Sequence, residues 1–267
     1  MQGNLVIDNG DKTANLVIGV PCLNFVMTRF FKAFWAFAQQ VPNNVAMRPS
    51  FTEMKPISDY IDPLKGNVIT DGARSMLVRA AQKAEAKWLF FLDDDTIPPK
   101  GTLARMLNTA KQNDIKILTG MVWGKTEPSE PMVFKEWGAG CWSDWYDKPA
   151  QVVKIDSAGL ACTLIAVDVF DAIPEPWFLG QTTWMPDQKG IKAQSGEDTV
   201  FYKACKDAGI QAYADSGVVC LHQSRTNGKL YPPIHVIERI TNANKRADEA
   251  EQTLIASIHP PGSDNAD

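Results

Sequence analysis

Trp88-Leu89-Phe90-Phe91-Leu92-Asp93-Asp94-Asp95 is the stretch that decides the fold. Five apolar residues with no polar interruption suit a strand buried on both faces, and such strands belong to parallel sheets covered by helices. The run ends abruptly in three acids. In open α/β sheets, ligands bind outside the carboxyl ends of the strands, where this cluster falls. Adjacent carboxylates repel, and each favours its protonated form unless a cation lies among them. Mg2+ or Mn2+ is the natural partner of carboxylate oxygens. A plainer reading also exists, in which Asp94 and Asp95 are a polar loop capping the next helix.

The flanking sequence alternates between strands and helices. On the amino-terminal side, Gly72 to Ala86 reads as a helix with Ala73, Leu77, Ala80, Ala81 and Ala84 on one face. Further back, Leu16 to Val20 reads as a strand, Pro21 to Asn24 as a turn, and Phe25 to Gln39 as a helix. The tetrapeptide Asn-Leu-Val-Ile occurs at Asn4 and again at Asn15, with Asn9-Gly10 between the copies, so a hairpin is a candidate there. Val45 to Phe51 is the region of the second strand. On the carboxyl-terminal side, Pro98-Pro99 leads into a helix over Leu103 to Lys111, with Leu103, Met106, Leu107 and Ala110 inward. Ile115 to Met121 returns as a strand. This alternation predicts an α/β protein with a mostly parallel, doubly wound central sheet.

The second half is less regular. Trp123 to Asp147 is rich in Gly, Pro and Trp and reads as an excursion packed over a pocket. Val152 to Ile155 and Cys162 to Val167 read as strands, and Pro174 to Gly190 as a breaker-rich loop. Glu197 to Ala208 reads as a helix closed by Gly209. Ala212 to Ala214 and Val218 to Leu221 read as two short strands, the second delivering His222. A last helix is expected from about Ile234, and a disordered tail from about His259. The expected organisation is one domain over residues 1–235, with 1–125 as its donor half and 126–235 as its acceptor half. Residues 236–267 then form the helix and tail.

Composition excludes several classes. The net charge of −4 gives no reason to expect strong binding to a nucleic-acid backbone. The five cysteines are scattered and form no CxxC pair, which argues against a disulfide framework and a structural zinc site and for a reducing, cytoplasmic setting. No apolar stretch reaches the roughly 20 residues of a transmembrane helix, and Met1 to Asp11 lacks the pattern of a secretory leader. The absence of a GxxxxGK loop argues against a P-loop enzyme.

Two further features bear on chemistry. Ser195-Gly196-Glu197-Asp198 opens a helix, where acids are stabilised by the dipole and by free backbone N–H groups, so a capping role is one reading. His222 ends a strand before a polar loop, a position that serves structure as readily as ligation. The ordered set of Val20-Pro21-Cys22-Leu23-Asn24, the helix carrying Arg74, Phe91-Leu92-Asp93-Asp94-Asp95, Gly159, Gly196-Glu197-Asp198 and Val218 to His222 resembles the GT-A glycosyltransferase fold. The likeness is to the family 2 type of nucleotide-sugar transferases and their bacterial and phage relatives, over roughly residues 15 to 225.

The resemblance implies a transferase moving a sugar from a UDP- or GDP-linked donor to an acceptor hydroxyl. Pro21, Arg74, Asp93 and Asp94 would bind the nucleotide sugar, with Asp94 facing the ribose. Asp95 and His222 would hold Mn2+ or Mg2+, the imidazole favouring Mn2+. Asp198 would be the base if the reaction inverts, with another role in relatives that retain the anomeric configuration, and Glu197 would bind the acceptor or steady the site. Trp184, close before the Gly-Glu-Asp motif, is the candidate acceptor contact, while tryptophans such as Trp123, Trp142, Trp145 and Trp177 serve more often as core or lid. The pattern departs from many relatives at two places: no acid precedes Glu53 to read the base, and Ser75 follows Arg74 where asparagine is common. The acceptor is open among a glycan, a protein, a lipid-linked sugar and a modified nucleobase. Two other classes fit the same acids: a metal-dependent nucleotidyl or phosphoryl transferase, and a non-catalytic nucleotide-sugar or glycan-binding module.

Overall fold

In the computed structural model, residues 16–22, 29, 30, 32, 34, 47–53, 68–178, 181–184 and 192–258 are described. Strand β1 is Leu16–Cys22 and β2 is Met47–Glu53; helix α1 is Val68–Lys83. Strand β3 is Trp88–Leu92, followed by the short β4, Thr96–Ile97, and helix α2, Thr102–Gln112. Strands β5 to β9 are Ile117–Met121, Val133–Phe134, Val152–Ile155, Ser157–Ala158 and Cys162–Ala166. A single turn of helix, α3, covers Val169–Ala172. Strands β10 and β11 are Gln181–Trp184 and Lys192–Ser195, and helix α4 is Glu197–Asp207. Strands β12 to β14 are Ala212–Val219, Leu221–Gln223 and Leu230–Tyr231, and helix α5 is Ile234–Ile258.

Seven strands form the central sheet in the order β2-β1-β3-β9-β5-β12-β7. β1, β2 and β3 run parallel, as do β5 and β12, while β9 and β7 run against their neighbours. The sheet is therefore mostly parallel, with β9 as an antiparallel wedge at its centre. Two apolar cores, one on each face, follow from the period-two alternation of the strands. Leu89 and Phe91 of β3 pack with Leu77, Val78 and Ala81 of α1 and Phe201, Tyr202 and Cys205 of α4. Phe90 and Leu92 pack on the other side with Leu103, Met106, Leu107 and Ala110 of α2 and with Phe30 and Phe34. Helices thus cover both faces, as an unbroken apolar strand requires.

Several boundaries differ from those read in the sequence. Pro21 does not begin a turn: β1 continues through Cys22, and Pro21 sits opposite Thr52 of β2. Helix α1 begins at Val68 and also buries Arg74 and Val78. Strand β5 begins at Ile117, and β9 ends at Ala166. The Pro174 to Gly190 loop contains β10, which pairs antiparallel with β11. The first of the two short strands after Gly209 runs on as β12 through Val219, its register shifting between Asp215 and Val219 against β5, while Leu221 opens β13. Asp215, fully buried, braces that irregularity by accepting from Arg105 at 2.7 and 2.8 Å and from the Gly217 N–H at 2.9 Å. The Asn4 repeat, its hairpin, the turn beyond Cys22 and the tail after Ile258 lie outside the described residues.

The Trp123 to Asp147 excursion is anchored in the core by three of its tryptophans. Trp123, Trp142 and Trp145 are buried and belong to the core with Trp177. Their rings cluster, with Trp123 and Trp145 at 5.7 Å and Trp142 and Trp145 at 5.9 Å. Aromatic surface of this size is worth more inside than over a wet pocket. Among the described residues no helix is long and apolar enough to cross a membrane.

Candidate active site

The three aspartates diverge as soon as β3 ends. The Asp93 N–H donates to the Ala161 carbonyl at 3.0 Å, and its own carbonyl accepts from the Thr96 N–H at 2.9 Å, closing a tight turn. Asp93 turns towards α1, where Arg74 Nη2 donates to its Oδ1 at 3.0 Å and Oδ2 at 3.2 Å. Arg74 is 3% exposed, and its Nε stands 3.7 Å from Glu197 Oε1 at the start of α4. Its guanidinium also lies over the Phe91 ring at 5.2 Å. Burial alone would lower the arginine's pKa, but Asp93, Glu197 and Asp198 outweigh it and hold the group above its usual value. Arg74 is therefore an interior cation joining the strand-end acids to the helix-start acids.

Asp94 and Asp95 meet a different set of partners. Asp94 accepts from Arg225 Nη2, and Arg225 Nε stands 3.5 Å from Asp95 Oδ2. Asp95 accepts from Lys125 Nζ on Oδ2 and faces His222 Nε2 at 3.1 Å on Oδ1. Strand pairing causes this meeting: β13 lies antiparallel to β4 with His222 opposite Thr96, and the Gln223 N–H donates to the Asp95 carbonyl at 2.8 Å. Burial would raise the Asp95 pKa; His222 and Lys125 overcome that and hold it at about 2. His222 Nδ1 meets the Trp123 carbonyl at 2.6 Å, so that nitrogen carries the proton and donates. Nε2 faces the carboxylate, and a second ring nitrogen tied to a backbone carbonyl is common in metal-ligating histidines.

Each of the three acids has a basic side chain beside it. The repulsion inferred from their adjacency is relieved by Arg74, Arg225 and Lys125 in addition to whatever a bound ion contributes. Among the described residues no group of three or more His, Cys, Asp or Glu side chains gathers around one point. Asp95 and His222 form a pair, so a cation there would draw its remaining ligands from water or phosphate oxygens.

Asp198 lies one residue into α4. Its Oδ1 accepts from the Thr199 N–H at 2.7 Å. Burial first, then the neighbouring Glu197, with a further push from Asp93, raise its pKa to about 6 against the opposing pull of Thr199 and Arg74. A side chain at Gly196 would meet Asp198 Oδ1 at 2.8 Å. The carboxyl is thus tuned towards the range of a general base.

Pro21 is buried two residues beyond Gly19, which pairs with Phe91, so it stands level with Asp93 on the adjoining strand. Trp184 ends β10 opposite Lys192; its side chain lies outside the described residues. Arg74, Asp93, Glu197 and Asp198 form one group, and Asp94, Asp95 and His222 another, both built on the acids that follow β3. Lys125 and Arg225 were missed in the sequence. Each follows the end of a strand by a few residues, a weak signal in a chain with 27 basic residues.

A family model described as glycosyltransferase like family 2 matches residues 41–232, most of the chain. No curated protein sequence matches. Among solved structures, A197 from STIV is similar with a TM-score of 0.53 and 16% identity, over 82% of this chain and 93% of that one. TarS (1–349) from S. aureus has a TM-score of 0.43 and 14% identity, over 76% of this chain and 58% of that one. Family membership implies a nucleotide-sugar donor and an acceptor. The sheet order, the acids at the end of β3 and the family match together place the chain in glycosyltransferase-like family 2, as a glycosyltransferase on the GT-A fold.

Proposed function

We propose that the enzyme transfers a sugar from a UDP- or GDP-linked donor to an acceptor hydroxyl with inversion at the anomeric carbon. The observation that carries this reading is Asp198, a carboxyl held at about 6 and linked through Arg74 to the strand end bearing Asp93. At pH 7 such a carboxylate is ionised yet more basic than an ordinary aspartate, so it can take a proton from a hydroxyl within hydrogen-bond reach. As Asp198 takes that proton, the acceptor oxygen's electron pair forms the bond to the anomeric carbon. The bond from that carbon to the diphosphate oxygen breaks, and its electrons leave with the nucleoside diphosphate.

Pro21, Arg74, Asp93 and Asp94 make the donor side, with Asp94 assigned to the ribose. Glu197 steadies the base and the acceptor, and Trp184 is the proposed acceptor contact. Asp95 and His222 are the residues that would hold Mn2+ or Mg2+, and the fixed Nδ1–H of His222 fits that role. A cation there would offset the charge developing on the leaving diphosphate.

The test is a thermal-shift panel of nucleotide sugars with and without Mn2+, followed by donor hydrolysis with water as acceptor. A UDP- or GDP-sugar should raise the melting temperature in the presence of Mn2+. Asp198→Asn should keep that shift and lose turnover; full turnover in this variant would remove the base assignment. A nucleoside triphosphate giving the largest shift would favour nucleotidyl transfer. Binding of a donor that is never turned over would favour a binding module.

A further inference from the structure

We propose that Lys125 is a built-in counter-charge that holds the place of the divalent cation in the free enzyme and serves the donor diphosphate in the loaded one. The inference rests on the donor and metal assignment above. Lys125 Nζ donates to Asp95 Oδ2, while His222 Nε2 faces Asp95 Oδ1 at 3.1 Å. Both oxygens of the carboxylate that would bind a cation are thus engaged. The Asp95 side chain is 10% exposed and that of Asp94 4%, so their two negative charges are poorly hydrated. Lys125 and Arg225 supply two positive charges against them. Two acidic charges are thus already met by two basic side chains before any ligand arrives.

That balance has a consequence for binding order. A divalent cation entering alone would face a site already neutralised and would leave excess positive charge in a partly buried place. A nucleotide sugar's doubly anionic diphosphate cancels that excess. Cation and donor therefore favour each other, and the coupling is reciprocal. With a cation held by Asp95, the Lys125 ammonium would be released from that carboxylate to the donor phosphates. Lys125 then binds the leaving diphosphate, where charge accumulates in the transition state.

The local structure keeps Lys125 in position. The Gly124 N–H donates to the Glu130 carbonyl at 2.9 Å, and Ser129 Oγ donates to the Gly124 carbonyl at 2.7 Å, folding the loop into a tight turn. Glu127 of this loop pairs with Lys229 of the loop that carries Arg225. The second loop is closed by the Ser224 N–H to the Lys229 carbonyl at 2.8 Å. The two loops are thus fastened to each other above the same pair of acids.

The experiment uses Lys125→Met, Lys125→Gln and Lys125→Arg in the full chain. Mn2+ binding is titrated by electron paramagnetic resonance, first without nucleotide and then with saturating UDP or GDP. A nearby unit charge lost from a partly buried site is worth on the order of a tenfold change in cation affinity after solvent screening. Without nucleotide, Lys125→Met and Lys125→Gln should bind Mn2+ roughly tenfold tighter than the parent, and Lys125→Arg about equally. With nucleotide, the nucleotide's own affinity should fall in both neutral variants, so the mutual enhancement shrinks. Unchanged or weaker Mn2+ binding in both neutral variants overturns the proposal and leaves Lys125 a structural partner of Asp95. A parent protein that binds Mn2+ under neither condition overturns the metal assignment itself. A parent whose Mn2+ and nucleotide binding enhance each other, with neutral variants that behave alike, sinks only the role of Lys125.

Discussion

Asp198→Asn should make the protein more stable, and the gain should grow with pH. The Asp198 carboxyl has an ordinary value of 3.8 and sits at about 6 in the folded chain. Between those values the folded protein keeps a proton that the unfolded chain has released. Stability therefore falls as pH rises through that window, and the cost is complete above about pH 6. A shift of about two units at ~1.36 kcal/mol each sets a ceiling of roughly 3 kcal/mol. Asparagine keeps an acceptor for the Thr199 N–H, but a neutral oxygen accepts less strongly, which offsets about 1 kcal/mol. The net gain at pH 8 is about 1–2 kcal/mol, or roughly 2–8 °C in melting temperature for a chain of this size. The assay is thermal melting of both proteins from pH 4 to pH 8 without metal or nucleotide. The two curves should meet near pH 4 and separate towards pH 7. A difference independent of pH, or a variant that melts lower at pH 8, would refute the reasoning. The helix-terminus attraction for a negative charge would then outweigh burial at this position.

Two further substitutions probe the frame around the site. Arg74→Met leaves Asp93, Glu197 and Asp198 without their interior cation, so urea unfolding should show a loss of about 3–5 kcal/mol. The rising limb of the pH profile for donor hydrolysis should also move upward, because a positive neighbour of Asp198 is gone; a stability change under about 1 kcal/mol would contradict the buried-link assignment. Gly120→Ala places a methyl 2.8 Å from Val218 Cγ1 and 3.1 Å from the Val218 carbonyl, in the strand pair that leads to His222. It should cost about 1–3 kcal/mol by urea unfolding, and Val218→Ala in the same chain should recover part of that; equal losses with and without the second change would show that crowding is not the cause.

Local patterns made much of the fold legible. The apolar run of β3 has the same limits in sequence and structure, and Leu103, Met106, Leu107 and Ala110 are the buried face of α2 as their spacing predicts. Such signals survive because burial of a strand or a helix face is written in residues only a few positions apart. The β10–β11 hairpin was hidden among breakers, and the register shift in β12 broke its pattern into two apparent strands. The tryptophans of the second half carry no period, so a core or lid role was readable from residue type and only packing decided for the core.

The acids of the site were visible as types in sequence: three after a buried strand, two at a helix start, one histidine after another strand. Their charge state was not. Arg74 lies 19 residues before Asp93, yet it lies between that residue and Glu197. Lys125 and Arg225 reach the same pair of acids from loops 30 and 131 residues away in the chain from their partners. A carboxylate's basicity depends on burial and on charges within a few ångströms, and neither quantity is a property of neighbours along the chain. The sequence by itself determined the strand that ends in Asp93-Asp94-Asp95 and the acids available for chemistry. Tertiary structure alone decided which cation each acid meets and that Asp198 is raised while Asp95 is lowered, because desolvation and Coulomb attraction act through space.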